Sequence, residues 1–203
     1  MRIPKAIREV LLDGGHPALD FVNTRHDWVD AAARDYWSDP AALIAWHQHV
    51  ALIDPATADA FLALAPRAAS GLLTRARGAR EHLHTLLSGF AAHGRAPAAE
   101  LAWLDQELAR LAPFHHLATT GGTVAWQAQP DPAHPASLLG PALFQAAALL
   151  TGTDPARIKE CPPPDGCGWL FLDTSRNGKR TWCSMATCGN TAKVRRFRSR
   201  QRG

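Results

Sequence analysis

Cysteine is missing from the first 160 residues of this 203-residue chain, and acidic residues are missing from the last 30. The first absence leaves the body of the chain without a disulfide framework or thiol chemistry. The second leaves the C-terminal tail without internal counter-charge. The opening stretch Met1-Arg2-Ile3-Pro4-Lys5-Ala6-Ile7-Arg8 lacks the apolar h-region that marks secretion. The most apolar run, residues 137–150, is too short and too interrupted to span a bilayer and reads as a core helix. A cytoplasmic chain with no membrane association is therefore expected. No G-x-S-x-G, Walker A or H-E-x-x-H occurs, and no G-x-G-x-x-G follows a strand, so catalysis is not expected. There is no internal repeat and no low-complexity tract.

What is present is concentrated at the end. Cys161, Cys167, Cys183 and Cys188 follow the spacing C-x5-C-x15-C-x4-C. Neither close pair is the C-x-x-C of redox motifs, and no βαβ pattern surrounds them. Two disulfides would suit a secreted protein, which nothing here marks. Four unrelated buried thiols would not gather in one short window. Four soft sulfur donors in two close pairs suit tetrahedral Zn²⁺, which they close completely, so one structural zinc is expected. All ten histidines precede Cys161, which favours a Cys₄ set over a Cys/His mixture.

The net charge of +4 hides an asymmetry. Residues 1–173 carry 13 Lys+Arg against 18 Asp+Glu, and residues 174–203 carry nine basic residues and no acidic one, which gives −5 and +9. A cationic patch on a mildly acidic body is the electrostatic footprint of phosphate binding.

Along the chain, Ser38-Asp39-Pro40 and Asp54-Pro55 are helix starts, each a capping oxygen followed by proline. A long helix is expected over residues 68–93, stopped by Gly94, with Leu72, Leu73, Ala76, Leu83, Leu86, Leu87 and Phe90 as its buried stripe. Pro97 opens another, with Leu101, Leu104, Leu108 and Leu111 as its apolar positions. Residues 10–12 and 123–127 read as short strands. A domain boundary is expected near Thr153, giving segments 1–152 and 153–203. In the second segment, residues 161–167 read as a proline-stiffened knuckle. Residues 169–173 read as a strand, Asn177-Gly178 as a hairpin turn and residues 180–183 as the returning strand. Cys188 then sits near the start of a helix that carries the basic residues. Knuckle, hairpin and helix in that order make a treble-clef arrangement. Val194 and Phe197 are expected to pack on the hairpin aromatics, with Lys193, Arg196 and Arg200 on an exposed face and Arg195, Arg198 and Arg202 beside them.

The block Cys167-Gly168-Trp169-Leu170-Phe171-Leu172-Asp173, with Arg180-Thr181-Trp182-Cys183-Ser184-Met185 and Cys188-Gly189-Asn190, resembles the CGNR zinc finger of bacterial proteins. Residues 14–24, Gly-Gly-His-Pro-Ala-Leu-Asp-Phe-Val-Asn-Thr, resemble the opening signature of the ABATE domain that accompanies it. The resemblance implies an α+β architecture: a mainly helical ABATE-like domain, then a treble-clef finger with the four cysteines as zinc ligands. It also implies a stress-responsive transcription regulator whose N-terminal domain binds an unidentified small ligand. Thr191 stands where the signature has its final Arg, so any phosphate contact or helix brace that arginine makes falls here to Thr191 or to a neighbour such as Lys193.

A zinc-dependent regulator that binds DNA is the expected function, with RNA as the alternative target and a protein-interaction module with purely structural zinc as the alternative class. Lys193, Arg195, Arg196, Arg198 and Arg200 are the phosphate-contact candidates, with Arg176, Lys179 and Arg180 as a second cluster. Asn190 either reads an adenine edge or makes a local capping bond. Trp169, Phe171 and Trp182 either stack on bases or form the finger's small core. In the N-terminal signature, Asn23, Thr24 and Arg25, with His16, either line a ligand pocket or serve as caps and turns.

Overall fold

The computed structural model describes residues 3–30 and 32–201. Its helices begin where the local chemistry asks for them. After the short α1 (Lys5–Arg8) and α2 (Pro17–Val22), two helices start on an aspartate followed by proline. In α3 (Pro40–His49) Asp39 accepts from the Ala42 amide at 2.8 Å, and in α4 (Pro55–Leu62) Asp54 accepts from the Thr57 amide at 2.7 Å. The long α5 (Pro66–His93) opens on its own proline, two residues earlier than the pattern implied, and closes at Gly94. α6 (Ala98–Leu111) follows Pro97.

A hairpin of β1 (His115–Thr120) and β2 (Thr123–Ala128) leads to α7 (Gly140–Gly152). The segment Pro135–Gly152 is apolar and long enough to cross a membrane by composition alone. Here it packs in the interior, with Leu138, Leu139, Ala142, Leu143, Ala146 and Leu149 buried. The helices enclose one core around Phe21, Trp37, Trp46 and Phe61, in which the rings of Phe21, Trp37 and Trp46 meet edge to face, Phe21 and Trp37 at 4.9 Å. Each such side chain contributes about 1.5–3 kcal/mol by leaving water.

The last quarter holds β3 (Ile158–Glu160), β4 (Leu170–Leu172) and α8 (Asn190–Arg200). β3 and β4 pair antiparallel, Lys159 opposite Phe171. Ile158 and Leu170 are buried in the same core as the helices, so the strands grow out of the body.

Three local expectations fail for identifiable reasons. Residues 10–12 form no strand: Val10 is buried, Leu11 and Leu12 are exposed, and no strand among the described residues partners them. Residues 180–183 do not return as a strand beside β4. That edge of β4 is already taken, because the Leu172 amide donates to Gly14 O at 2.8 Å and Asn23 occupies Leu170. Residues 173–180 instead wrap the Lys159 ammonium, which donates to Asp173 and to the carbonyls of Gly178 and Arg180. Finally, Val194 and Phe197 do not pack on aromatics; they are 48% and 63% exposed on α8.

Candidate metal centre and nucleic-acid interface

The four cysteines converge from three local structures. Residues 161–167 form a tight knuckle, closed by the Gly166 amide on Pro162 O at 2.7 Å. A Cβ on Gly166 would lie 2.6 Å from the Cys161 sulfur, so the turn has room only for glycine. Cys183 is buried behind the 173–180 loop, and Cys188 lies in the wide turn Met185–Gly189 that feeds α8. All four Sγ atoms lie within 4.8 Å of one another, Cys167 to Cys183 at 3.6 Å and Cys183 to Cys188 at 3.7 Å.

Tetrahedral Zn–S bonds of about 2.3 Å require S···S separations near 3.8 Å, so the cluster fits one zinc ion. Hydrogen bonds from Cys167 and Cys183 pull the Cys161 thiol far below its usual range, and the resulting thiolate pushes those two partners up. Sulfurs this close carry a full set of negative charges only around a cation.

The knuckle rests on the N-terminal signature. Asn23 Nδ2 donates to Leu170 O at 2.8 Å, and its Oδ1 accepts from the Leu170 amide at 3.0 Å, both bonds buried. The Trp169 indole donates to Arg25 O at 2.7 Å, and the Trp28 amide donates to Cys167 O at 2.8 Å. Gly168, at φ 72°, turns the chain against Trp28; a Cβ there would meet the Trp28 Cβ at 2.9 Å. Trp28 in turn stacks on His84 of α5 at 3.8 Å. Burial lowers the His84 pKa to about 4, against a bond to the Gly168 backbone that favours the charged form.

The other signature candidates are also structural in placement. His16 Nδ1 caps α2 by accepting from the Ala18 amide at 3.3 Å. Thr24 donates to Phe21 O and accepts from the buried Arg80, which also grips Asp35 through two bonds of 2.8 and 2.7 Å. Arg25 pairs with Glu81 at 3.7 Å and lies over the Trp28 ring. None of these four residues lines the open cleft of about 430 Å³ that lies beside the cysteines, between the 26–36 segment and the knuckle. His26, Asp27 and Tyr36 face Cys167, Thr191 and Arg195 across it. The sequence reading missed this cleft, because its walls come from segments more than 120 residues apart.

The cationic candidates divide. Arg180 is half-buried: its guanidinium donates to the carbonyls of Trp182, Leu172, Asp13 and Cys183 and lies over the Phe171 ring at 4.5 Å. It holds Cys183 in place, and its expected role as a phosphate contact gives way to that one. Lys159 and Asp173 assist, the Asp173 carboxyl being held below its usual range by the Lys159 ammonium and the Ser175 hydroxyl. Arg176 and Lys179 are exposed on the loop beyond it. On α8, Lys193, Arg195, Arg196 and Arg198 are exposed, and Arg195 also reaches Pro164 O at 3.0 Å, tying the helix to the knuckle. Asn190 makes the local bond, to Ala186 O at 3.3 Å. Arg200 ends α8 with its side chain outside the described residues, and Arg202 lies outside them altogether. Trp169 and Phe171 are buried and Trp182 half-buried in the finger's core.

Among known families, the CGNR zinc finger matches residues 157–201, and ABATE, described as a putative stress-induced transcription regulator, matches residues 15–153. No curated protein matches the sequence.

Proposed function

The chain belongs to the ABATE family and carries a CGNR zinc finger behind that domain, and on that premise we propose that it is a zinc-dependent transcription regulator that binds DNA. The observation that carries this reading is α8: a helix whose Lys193, Arg196 and Arg198 are exposed, rooted in the four-cysteine cluster through Cys188 and braced on the knuckle by Arg195. Guanidinium and ammonium groups on a rigid helix neutralise phosphates and release counterions. Zinc supplies rigidity, since a closed Cys₄ set leaves no open position for chemistry. The protein acts in the cytoplasm by binding, without catalysis. Its regulating ligand is a small molecule seated in the 430 Å³ cleft, where it would touch Thr191 and Arg195 at the root of α8. That coupling makes the regulator responsive to stress.

The test is anisotropy titration of the zinc-loaded chain with duplex DNA and structured RNA across a salt series. Neutralising four to five phosphates gives log K against log salt a slope of about −3.6 to −4.5 on the duplex. Salt-independent binding, or preference for the RNA, would overturn the DNA assignment.

A further inference from the structure

α8 turns two apolar side chains to solvent in the middle of its cations. Its inner side is fixed by Ala192, which is buried, and by Arg195, which reaches Pro164 O at 3.0 Å. Val194 and Phe197, three apart, share the opposite side of the helix and are 48% and 63% exposed. Neither belongs to the finger's core. Lys193, four residues before Phe197, and Arg198, four after Val194, flank the pair and are themselves exposed.

We propose that Val194 and Phe197 read thymine methyl groups in the major groove of duplex DNA, a role that rests on α8 being the DNA-binding helix. Charge selects the occupant. Five of the eight residues 193–200 are Lys or Arg and none is acidic, so the partner that covers this side is anionic. Pattern selects among anionic partners. A helix that lies in an anionic bilayer needs a broad apolar stripe, whereas here two side chains stand between cations spread around the helix. Duplex DNA sets the two demands side by side. Phosphates line both rims of the major groove, where Lys193 and Arg198 would meet them, and thymine methyls are the apolar points on its floor. At about 1.5 Å per residue the 11 residues of α8 span about 16 Å, and a groove about 12 Å wide admits such a helix.

The full-length, zinc-loaded chain is titrated by anisotropy with two duplexes, alternating adenine–thymine and alternating adenine–uracil, which differ only in the 5-methyl group. Alternation presents methyls in every register, so no operator sequence is needed. The wild type should bind the thymine duplex about four-fold more tightly for each methyl covered, with the same salt slope on both. Val194→Ala with Phe197→Ala should bind the two duplexes alike, keeping the salt slope, circular dichroism and zinc content of the wild type. Absence of any duplex binding would remove the DNA reading itself, and this inference with it. Duplex binding without a methyl preference, or a preference that the double variant retains, would overturn this inference alone. So would binding to phosphatidylglycerol vesicles at the affinity of DNA, or a dimer in sedimentation that the double variant dissolves, each of which gives the face another occupant. If the double variant fails to fold, the wild type is irradiated on a duplex with 5-bromouracil in place of thymine. A cross-link within residues 193–198 supports the contact, and a cross-link elsewhere removes it.

Discussion

Asn23→Ala tests whether the N-terminal signature is the seat of the finger. The side chain gives and takes one hydrogen bond with the Leu170 backbone, at 2.8 and 3.0 Å, both out of water. Truncation leaves a buried N–H and a buried C=O without partners. Each costs about 1–3 kcal/mol, so the variant should lose roughly 2–6 kcal/mol, a large part of the 5–15 kcal/mol typical of a whole domain. Because Leu170 belongs to the common core, the loss should appear in the unfolding of the whole chain. Urea unfolding followed by tryptophan fluorescence, with zinc release read by a chromophoric chelator, measures both. Asn23→Asp sharpens the test. At pH 7 it keeps the acceptor for the Leu170 amide but turns a carboxylate oxygen toward Leu170 O, and should be at least as damaging as alanine. On acidification the protonated carboxyl regains a donor, and its deficit relative to Asn23→Ala should shrink. A loss under about 0.5 kcal/mol for Asn23→Ala, the scale of ordinary surface changes, would refute the seat. So would Asn23→Asp behaving like wild type at pH 7.

Four further outcomes follow from the same geometry. Cys167→Ser should abolish tight zinc binding and lower the melting temperature of the whole chain, checked by metal analysis and calorimetry, because Ile158 and Leu170 share the body's core. Converting Lys193, Arg196 and Arg198 to Gln should flatten the salt slope on duplex DNA by about 2.7, whereas Arg180→Gln should chiefly destabilise the fold, read as a lower urea midpoint. Burial raises the Asp20 pKa to about 6 from 3.8, against the lowering bond from Gly14. Its charge therefore costs stability in full above pH 6 and nothing below pH 3.8, so Asp20→Asn should stabilise by about 3 kcal/mol at pH 7.5, with an advantage that disappears near pH 4 in urea titrations. His47, buried, and His84 are lowered to about 4 from 6.5, mainly by burial. Their contribution is intact above pH 6.5 and lost as pH falls to 4, and replacing His47 with an uncharged residue should shallow the acid limb of the stability profile.

The zinc cluster was legible in the sequence because ligand spacing is a short-range property: four cysteines within 28 residues already define two pairs, and the absence of histidine after position 134 settles the donor type. Helix starts at Asp39-Pro40 and Asp54-Pro55 were equally local, a capping oxygen and a ring with no N–H. Partner choice was not local. The strand expected over residues 169–173 is present at Leu170–Leu172, but its neighbour was misread, since its free edge is claimed by Gly14 and Asn23, the latter 147 residues away. Arg180 looked like any other tail cation, and only the folded loop turns its guanidinium onto four carbonyls and the Phe171 ring. Val194 and Phe197 had the spacing of a buried pair, yet helical period says which residues share a face and not whether anything lies against it. Sequence alone determined the residue types, their caps and the metal donors, because those act within a few residues. The tertiary structure decided which edges, cations and apolar faces were already occupied, because occupancy depends on what the rest of the chain brings alongside.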